Sequence, residues 1–293
     1  MTFSIVAWDP APSPPEWGVA VASKFLAVGS AVPWAQAGTG AVATQALANL
    51  AYGPDGLALL ASGASAQDAV EQLTGADEDS AQRQLGVVDA KGRAASFTGS
   101  DCFDWAGGVT GDGYCCQGNI LTGPEVVEVM ASTFTESEGD LAARLLAALE
   151  AGDRAGGDSR GRQSAALYVV REGGGYGGGI DRYVDLRVED HGAPIDELKR
   201  LFTMHKLLFP RPEDLNFIAV DEALAAELRT LLSAAGYEPG SGVGYDGALR
   251  GALYEYCGTE NLEERWSEEA KIEQEVLTFL RQNQPPTGVT FPT

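Results

Sequence analysis

The sequence predicts an α+β fold, in which two layers of antiparallel sheet are covered by helices and a small, mostly helical module follows. Strand-like runs in the first two-thirds of the chain come in three consecutive groups, of which the first two are each followed by two helical runs and the third by one. A parallel, doubly wound sheet would need strands and helices to alternate one by one. The grouping therefore favours antiparallel sheets with helices packed on them.

The composition and the net charge of the chain argue against nucleic acid and membrane as partners. The chain has 293 residues, of which 44% are hydrophobic and 21% charged, as in ordinary globular proteins. Its formal net charge of -22 repels nucleic-acid phosphates and anionic lipid surfaces, so we expect neither nucleic acid nor membrane as a partner. We find no signal peptide and no apolar stretch of the roughly 18 residues that a membrane span requires, and expect a cytoplasmic protein.

The first hairpin is predicted over residues 2–8 and 18–24, joined by a proline-rich turn. The remaining predictions follow in chain order. Further elements are expected as strands near 31–32 and 41–45, helices at 54–62 and 65–74 with Ser65 as N-cap, strands at 84–88, 93–97, 105–109 and 114–118, helices at 124–134 and 139–151, a hairpin of 164–170 and 183–188, and a helix at 195–208.

Pro210 and Pro212 mark the predicted domain boundary. We expect one domain over residues 1–209, a second, mostly helical domain over 215–283, and a proline-rich tail over 284–293.

The start of the first strand offers a candidate nucleophile. If facing residues of the hairpin sum to about 26, Thr2 faces Lys24, and one face carries a hydroxyl beside an ammonium group. A nearby cation lowers the pKa of an amine and stabilises an oxyanion, and both effects would help an N-terminal threonine attack a carbonyl. The alternative is that Thr2 and Lys24 merely border a sheet.

Other catalytic chemistries have little support. With two histidines and four cysteines that form no CxxC pair, the sequence predicts no metal, no cofactor and no disulfide framework. Cys115 and Cys116 are adjacent on a strand and point to opposite faces, which favours buried, reduced thiols. The glycine-rich run 173–179 lacks the ending of a P-loop and is interpreted as a hairpin loop.

Five separated motifs, in order, carry a resemblance to a known family. They are Thr2-Phe3-Ser4-Ile5-Val6-Ala7, the run 18–24, Gly40-Ala41-Val42-Ala43-Thr44-Gln45, Gln117-Gly118-Asn119 and the run 156–164. Over residues 1–209 the chain resembles a bacterial family of unknown function that is placed in the Ntn (N-terminal nucleophile) hydrolase superfamily. The resemblance implies a four-layer αββα sandwich with the nucleophile at the start of the first strand, hence Thr2 after removal of Met1.

The same motifs supply the predicted site residues. Lys24 would provide positive charge and Asn119 would bind the oxyanion, although an asparagine is also tolerated in a turn. The substrate-binding candidates are Gln45, Gln117, Asp158, Arg160, Gln163 and Ser164. For the last four, a solvated loop braced by Asp–Arg pairs remains the alternative.

The C-terminal part predicts an amphipathic helix through Leu224, Leu228 and Leu232 that ends at Gly236. The Gly-Tyr-x-Pro-Gly and Asp-Gly motifs that follow resemble small peptidoglycan-binding modules. Glycan binding would need exposed aromatic side chains, and the candidates are Tyr245, Tyr254, Tyr256 and Trp266. We favour their burial in a three-helix core and a scaffold or homodimer role, with cell-wall glycan the less favoured ligand.

The predicted function is that of an amidohydrolase acting on a small amide or peptide-like metabolite through Thr2. The alternative is a non-catalytic protein with the same fold that binds a small metabolite or a cell-wall fragment.

Overall fold

The computed structural model describes residues 2–283, so Met1 and the predicted tail 284–293 lie outside the described residues. The chain divides into two compact units, Met1–Phe202 and Thr203–Thr293. This division falls before the proline-rich boundary expected from the sequence. We describe each unit by itself.

The larger sheet of the first unit has six strands in the order β10-β9-β2-β1-β8-β7, all antiparallel to their neighbours. Its strands are β1 Thr2–Asp9, β2 Glu16–Ser23, β7 Gly107–Gly111, β8 Tyr114–Asn119, β9 Ser164–Val170 and β10 Arg182–Val188. The smaller sheet has the order β3-β4-β5-β6 and is also antiparallel. Its strands are β3 Pro33–Gln36, β4 Gly40–Ala46, β5 Arg83–Asp89 and β6 Ala94–Thr98.

Five helices accompany these sheets. They are α1 Tyr52–Ala61, α2 Ala66–Gly75, α3 Glu125–Glu136, α4 Leu141–Arg154 and α5 Pro194–Leu208. The predicted N-cap of α2 is confirmed, because Ser65 accepts from the backbone N–H of Asp68 while the Asp68 carboxylate accepts from the N–H of Ser65. Asp140 caps α4 by a single bond, in which its carboxylate accepts from the backbone N–H of Ala143.

Three hydrophobic clusters hold the first unit together. One joins β1 to α3 and α4 and includes Phe3 and Leu149. A second contains residues of both sheets, such as Val21 and Ala43, and a third joins β5 to α1 and α2 around Leu85. Each fully buried side chain of this size contributes about 1.5–3 kcal/mol through removal of apolar surface from water.

The predicted α+β class with antiparallel sheets is therefore confirmed. Each predicted helix is present with ends shifted by a few residues, and most predicted strands are too. The largest difference concerns the strand expected near residues 31–32, which begins instead at Pro33. Val28–Ser30 forms a short 3-10 turn just before it, and local turn geometry of this kind leaves no periodic signal.

The second unit is mostly helical, as the sequence predicts, and contains α6 Glu222–Ala234, α7 Gly247–Thr259 and α8 Gln274–Gln282. It also holds a two-stranded antiparallel sheet, β11 Phe217–Ala219 with β12 Lys271–Glu273, which the sequence analysis missed. Both strands are only three residues long, too short for an alternating pattern to show.

A buried ion pair ties β12 into the second unit. Arg265 Nη1 lies 2.7 Å from Glu273 Oε2, and the two side chains are only 5% and 1% exposed. Within residues 2–283, every helix is too short or too polar to span a bilayer.

Candidate functional site

The start of β1 lies at one end of the gap between the two sheets. Thr2 is the first residue of β1, is 5% exposed and faces Asn119 at the end of β8. On the second sheet, β4 ends at Ala46 and β5 begins at Arg83, and the two strands pair at these residues. Ala46 lines the same cavity as Asn119, so the strand ends of both sheets converge there.

The predicted register of the first hairpin is wrong by one residue. Phe3 faces Ala22, so the next step places Ser23 rather than Lys24 opposite Thr2. The Thr2 Oγ1 and Ser23 Oγ atoms are 3.1 Å apart, and Ser23 is 2% exposed. Because β1 and β2 are buried on both faces, either register keeps apolar residues inside, and the hydrophobic pattern cannot decide between them.

The one-residue slip also changes the faces that were expected. Thr2 and Ser4 share their face with Val21 and Ser23, and this face packs toward the smaller sheet. Ala20 and Ala22 lie on the opposite face of the larger sheet. The sequence predicts a face on which a hydroxyl lies beside an ammonium group. The face of Thr2 carries the Ser23 hydroxyl instead, and both faces of the two strands are buried.

Lys24 lies beyond the end of β2 and is exposed. Its backbone N–H donates to Asp158 Oδ2 at 2.8 Å, and its ammonium group donates to the carbonyl of Arg162 at 3.3 Å. These contacts direct the lysine toward the loop before β9. They do not bring its charge to the Thr2 hydroxyl.

A chain of buried side-chain amides runs between the sheets beside Thr2. Ser4 Oγ donates to Gln45 Oε1 at 2.7 Å, and Gln45 Nε2 donates to Gln84 Oε1 at 2.7 Å and to the carbonyl of Thr2 at 3.3 Å. Gln117 Nε2 donates to Ser4 Oγ at 2.6 Å. Gln45 and Gln117, predicted to bind substrate, are 1% and 0% exposed and are engaged in this network.

The network depends on space between the sheets. A Cβ at position 86 would overlap the amide of Gln117, so Gly86 of β5 makes room for that side chain. Gln117 Oε1 is buried without a hydrogen-bond partner in the part of the chain that the structure describes. A buried acceptor without a hydrogen bond lowers the stability of the folded protein. It adds a further polar atom to the amide chain between the two sheets.

Asn119 connects the amide chain to open space. Its Nδ2 donates to Gln84 Oε1 at 2.8 Å, and the residue lines a cavity of about 550 Å³. An amide nitrogen carries two donor hydrogens, and the bond to Gln84 uses one of them. Leu47, Phe103 and Arg160 line the same cavity.

Asp158 and Arg160 form a fixed ion pair at this cavity. Arg160 Nη2 lies 3.1 Å from Asp158 Oδ2, and Arg160 Nε donates to Asp158 Oδ1 at 3.2 Å. The Asp158 side chain is 2% exposed, whereas that of Arg160 is 40% exposed. The carboxylate thus anchors the guanidinium of Arg160, a residue that lines the cavity.

Gln163 and Ser164, also predicted to bind substrate, make hydrogen bonds to the backbone of neighbouring segments. Ser164 is fully buried, donates to the carbonyl of Phe25 at 2.5 Å and accepts from the backbone N–H of Val28 at 3.1 Å. Gln163 donates its backbone N–H to the carbonyl of Ser23 at 3.1 Å, which extends the pairing of β2 with β9. Neither residue lines the cavity next to Asn119.

Sequence reasoning missed Ser23 and Gln84 at this site. Ser23 precedes Lys24 in the chain, and only the observed strand register shows that Ser23 is the residue opposite Thr2. A weak signal for Gln84 was present, because a polar amide recurs in three apolar strands at Gln45, Gln84 and Gln117.

Cys115 and Cys116 are free and buried, as the sequence predicts. Burial raises the pKa of the Cys115 thiol to about 12 and raises that of Cys116 well above its ordinary value. Cys102 is half-buried at the cavity wall, and burial raises the pKa of its thiol as well. Among residues 2–283, no group of His, Cys, Asp and Glu side chains is arranged to hold a metal ion.

The aromatic residues of the second unit are divided between core and surface. Tyr256 is 3% exposed, and Tyr245 and Trp266 pack against the same core. Tyr254 is 60% exposed and contacts the ring of Trp266 edge-on, with centroids 5.3 Å apart. The predicted burial in the core is therefore wrong for Tyr254.

Comparisons with known proteins place the chain in a family. Residues 2–198 match the model described as "Family of unknown function (DUF1028)", and residues 208–280 match the model described as "Putative peptidoglycan binding domain". The crystal structure of protein SPO2555 from Silicibacter pomeroyi, described under the same DUF1028 model, is 34% identical. The alignment covers 70% of this chain and 89% of that chain, with a TM-score of 0.64. No curated protein matches the chain. The chain therefore belongs to the DUF1028 family.

Proposed function

We propose that this protein is an amidohydrolase whose nucleophile is the hydroxyl of Thr2, exposed as the N-terminal residue by removal of Met1. One observation carries the proposal. Thr2 begins the central strand β1, holds its hydroxyl 3.1 Å from that of Ser23, and faces Asn119, which lines the cavity. A hydroxyl that is held by a hydrogen-bonding partner next to a cavity is one of the features of an active-site nucleophile, and it supports the proposal.

The packing of the first unit supports the same assignment. The three hydrophobic clusters follow the order helices, larger sheet, smaller sheet, helices. This order fits the four-layer αββα sandwich of Ntn hydrolases, in which the nucleophile starts a central strand. We include that sandwich in the proposal.

The reaction can be written with the groups at hand. Thr2 Oγ1 attacks the carbonyl carbon of the amide and its proton passes to the Thr2 amine, which acts as general base. The oxyanion accepts a hydrogen bond from Asn119 Nδ2, the carbon–nitrogen bond breaks, and the amine product leaves with the proton. Water then hydrolyses the ester on Thr2 and releases the acid.

Positive charge at this site is assigned to Arg160 in place of Lys24. Arg160 lines the cavity and is held by Asp158, whereas the Lys24 ammonium donates to the Arg162 carbonyl. Ser23 takes the position next to the nucleophile that the sequence assigned to Lys24. Its hydroxyl orients that of Thr2 before attack.

A matched pair of isosteric variants tests the proposal. Thr2→Val removes the nucleophile yet keeps the shape and the small side chain that permits removal of Met1. Thr44→Val removes another fully buried hydroxyl, which donates to the Asn49 carbonyl at 3.0 Å. We expect Thr2→Val to lower the hydrolysis of dipeptides and amino-acid amides by at least about 10³-fold, and Thr44→Val to change it by less than about threefold. Equal rates in the two variants would refute the assignment.

Non-catalytic binding of a small metabolite remains the second candidate. It is favoured by one observation, namely that the Asn119 amide is already bonded to Gln84 at 2.8 Å. Retention of Met1 on the native protein, measured by mass spectrometry, would support this function over catalysis.

A further inference from the structure

The cavity beside Thr2 presents charges of both signs. Arg160 lines one part of its wall and Asp101 another, and both residues are exposed. Leu47 and Phe103, which are 57% and 69% exposed, supply the apolar surface of the same cavity. Its volume of about 550 Å³ lies in the range that accommodates small molecules rather than chains.

Arg160 and Asp101 both make hydrogen bonds to residues that do not line the cavity. Asp158 fixes the guanidinium of Arg160 through two hydrogen bonds, at 3.2 Å and 3.1 Å. The backbone N–H of Asp101 donates to the carbonyl of Ala81 at 2.7 Å, and its carboxylate accepts from Ser100 Oγ at 3.1 Å. Charges held in this way bind a ligand with less loss of side-chain entropy than mobile ones.

The charge of the whole protein adds a constraint. At a net charge of -22, a ligand with net negative charge is repelled before it reaches Arg160. A zwitterion has no net charge and escapes that repulsion. Its carboxylate suits Arg160 and its ammonium group suits Asp101.

We propose that this cavity binds a zwitterionic amide of dipeptide size. The carboxylate contacts Arg160, the ammonium group contacts Asp101, and an apolar side chain packs on Leu47 and Phe103. The substrate class rests on the proposed function, because the amide bond of such a ligand is the one that Thr2 would attack.

Cys102 gives a readout of binding that needs no turnover. It lines the cavity and is half-buried, whereas Cys115, Cys116 and Cys257 are 0–2% exposed. Alkylation by iodoacetamide therefore reports on the cavity. Labelling is done near pH 7, because a terminal amine has a pKa of about 8 and Leu-Leu must stay a zwitterion. Burial raises the pKa of the Cys102 thiol, so long labelling times are used.

The experiment uses the full-length Thr2→Val variant and three probes. These are Leu-Leu, N-acetyl-Leu-Leu, which lacks the ammonium group, and Leu-Leu amide, which lacks the carboxylate. We expect Leu-Leu to slow the alkylation of Cys102 and to bind about tenfold more tightly than either blocked probe. Equal protection by all three probes, or no protection by Leu-Leu at about 10 mM, would overturn the proposal.

Two charge variants assign the contacts. Arg160→Gln should weaken Leu-Leu about tenfold and leave Leu-Leu amide unchanged, while Asp101→Asn should weaken Leu-Leu and leave N-acetyl-Leu-Leu unchanged. Arg160→Lys keeps the positive charge and is the control for folding of the loop. It should still bind Leu-Leu more tightly than Leu-Leu amide. A uniform loss for all probes in both variants would contradict the assignment.

The two proposals fail separately. If Leu-Leu protects Cys102 but no hydrolysis depends on Thr2, the cavity binds zwitterionic amides as ligands and the proposed function is refuted. If hydrolysis depends on Thr2 but the zwitterion is not preferred, the proposed function is supported and the proposed ligand class is refuted.

Discussion

The hydroxyl oxygens of Thr2 and Ser23 lie 3.1 Å apart, at the end of the first hairpin where the two sheets meet. Both side chains are buried, at 5% and 2% exposure. The contact exists because Phe3 pairs with Ala22, which sets the next residue of β2 opposite Thr2. Ser23, rather than the lysine that follows it, is therefore the residue of β2 that contacts the Thr2 hydroxyl.

Ser23→Ala and Lys24→Met should separate these two residues. Ser23→Ala removes the hydrogen bond to Thr2, and we expect a loss of about 1 kcal/mol in unfolding free energy and a tenfold or greater fall in turnover. Lys24→Met removes an exposed group, and we expect changes below about 0.5 kcal/mol and twofold in turnover. Urea denaturation and assay of hydrolysis measure both. A larger effect of Lys24→Met than of Ser23→Ala would contradict this assignment.

The sequence could predict the fold class and the position of Thr2, but not the neighbours of Thr2. Helices such as α4 carry a strong period and a cap at Asp140, so their existence follows from local pattern. The register of β1 against β2 leaves no such pattern, because both strands are buried on both faces. The cavity could not be predicted either, since loops far apart in the chain bring Leu47, Phe103 and Arg160 to it.

Gln84 should be the most sensitive member of the amide chain. It accepts from Asn119 and Gln45 and donates to the carbonyl of Gly118 at 2.7 Å, all without exposure to solvent. Gln84→Met leaves these groups unpaired, and we expect a loss of about 3 kcal/mol in unfolding free energy. Gln67→Met, on the exposed face of α2, should cost less than about 0.5 kcal/mol. Similar losses in the two variants would show that the network contributes little.

Asp77 should make the stability of the first unit depend on pH. The hydrogen bond from Arg83 Nε at 3.0 Å, with further bonds from Asn49 and Tyr52, lowers the pKa of this carboxyl below its ordinary value. A lowered pKa in the folded state stabilises above the unfolded pKa of about 3.9, and the effect is lost as the pH falls below it.

Urea denaturation between about pH 7 and pH 3 measures this dependence. We expect the unfolding free energy of the wild type to fall more steeply on acidification than that of Asp77→Asn. Asp55→Asn, which removes an exposed carboxylate of α1, is the control and should follow the wild type. Parallel curves for the wild type and Asp77→Asn would contradict the prediction.

The buried ion pair should dominate the stability of the second unit. Glu273→Gln leaves Arg265 buried without its counter-charge, and we expect a cost of about 3–5 kcal/mol. Glu227→Gln breaks the exposed pair with Arg281 and should cost about 0–1 kcal/mol. Hydrogen exchange of the amides in α6, α7 and α8 reports the effect on this unit alone. Equal exchange rates in the two variants would refute the prediction.

The most direct test of a Thr2 nucleophile is a covalent adduct on that residue. The protein is incubated with a β-lactone, which acylates nucleophilic hydroxyl groups, and its peptides are mapped by mass spectrometry. We predict an N-terminal peptide that begins at Thr2 and carries the lactone on it, and no adduct in Thr2→Val. An N-terminal peptide that retains Met1, or a Thr2 that stays unmodified while amide hydrolysis proceeds, would contradict the proposed function.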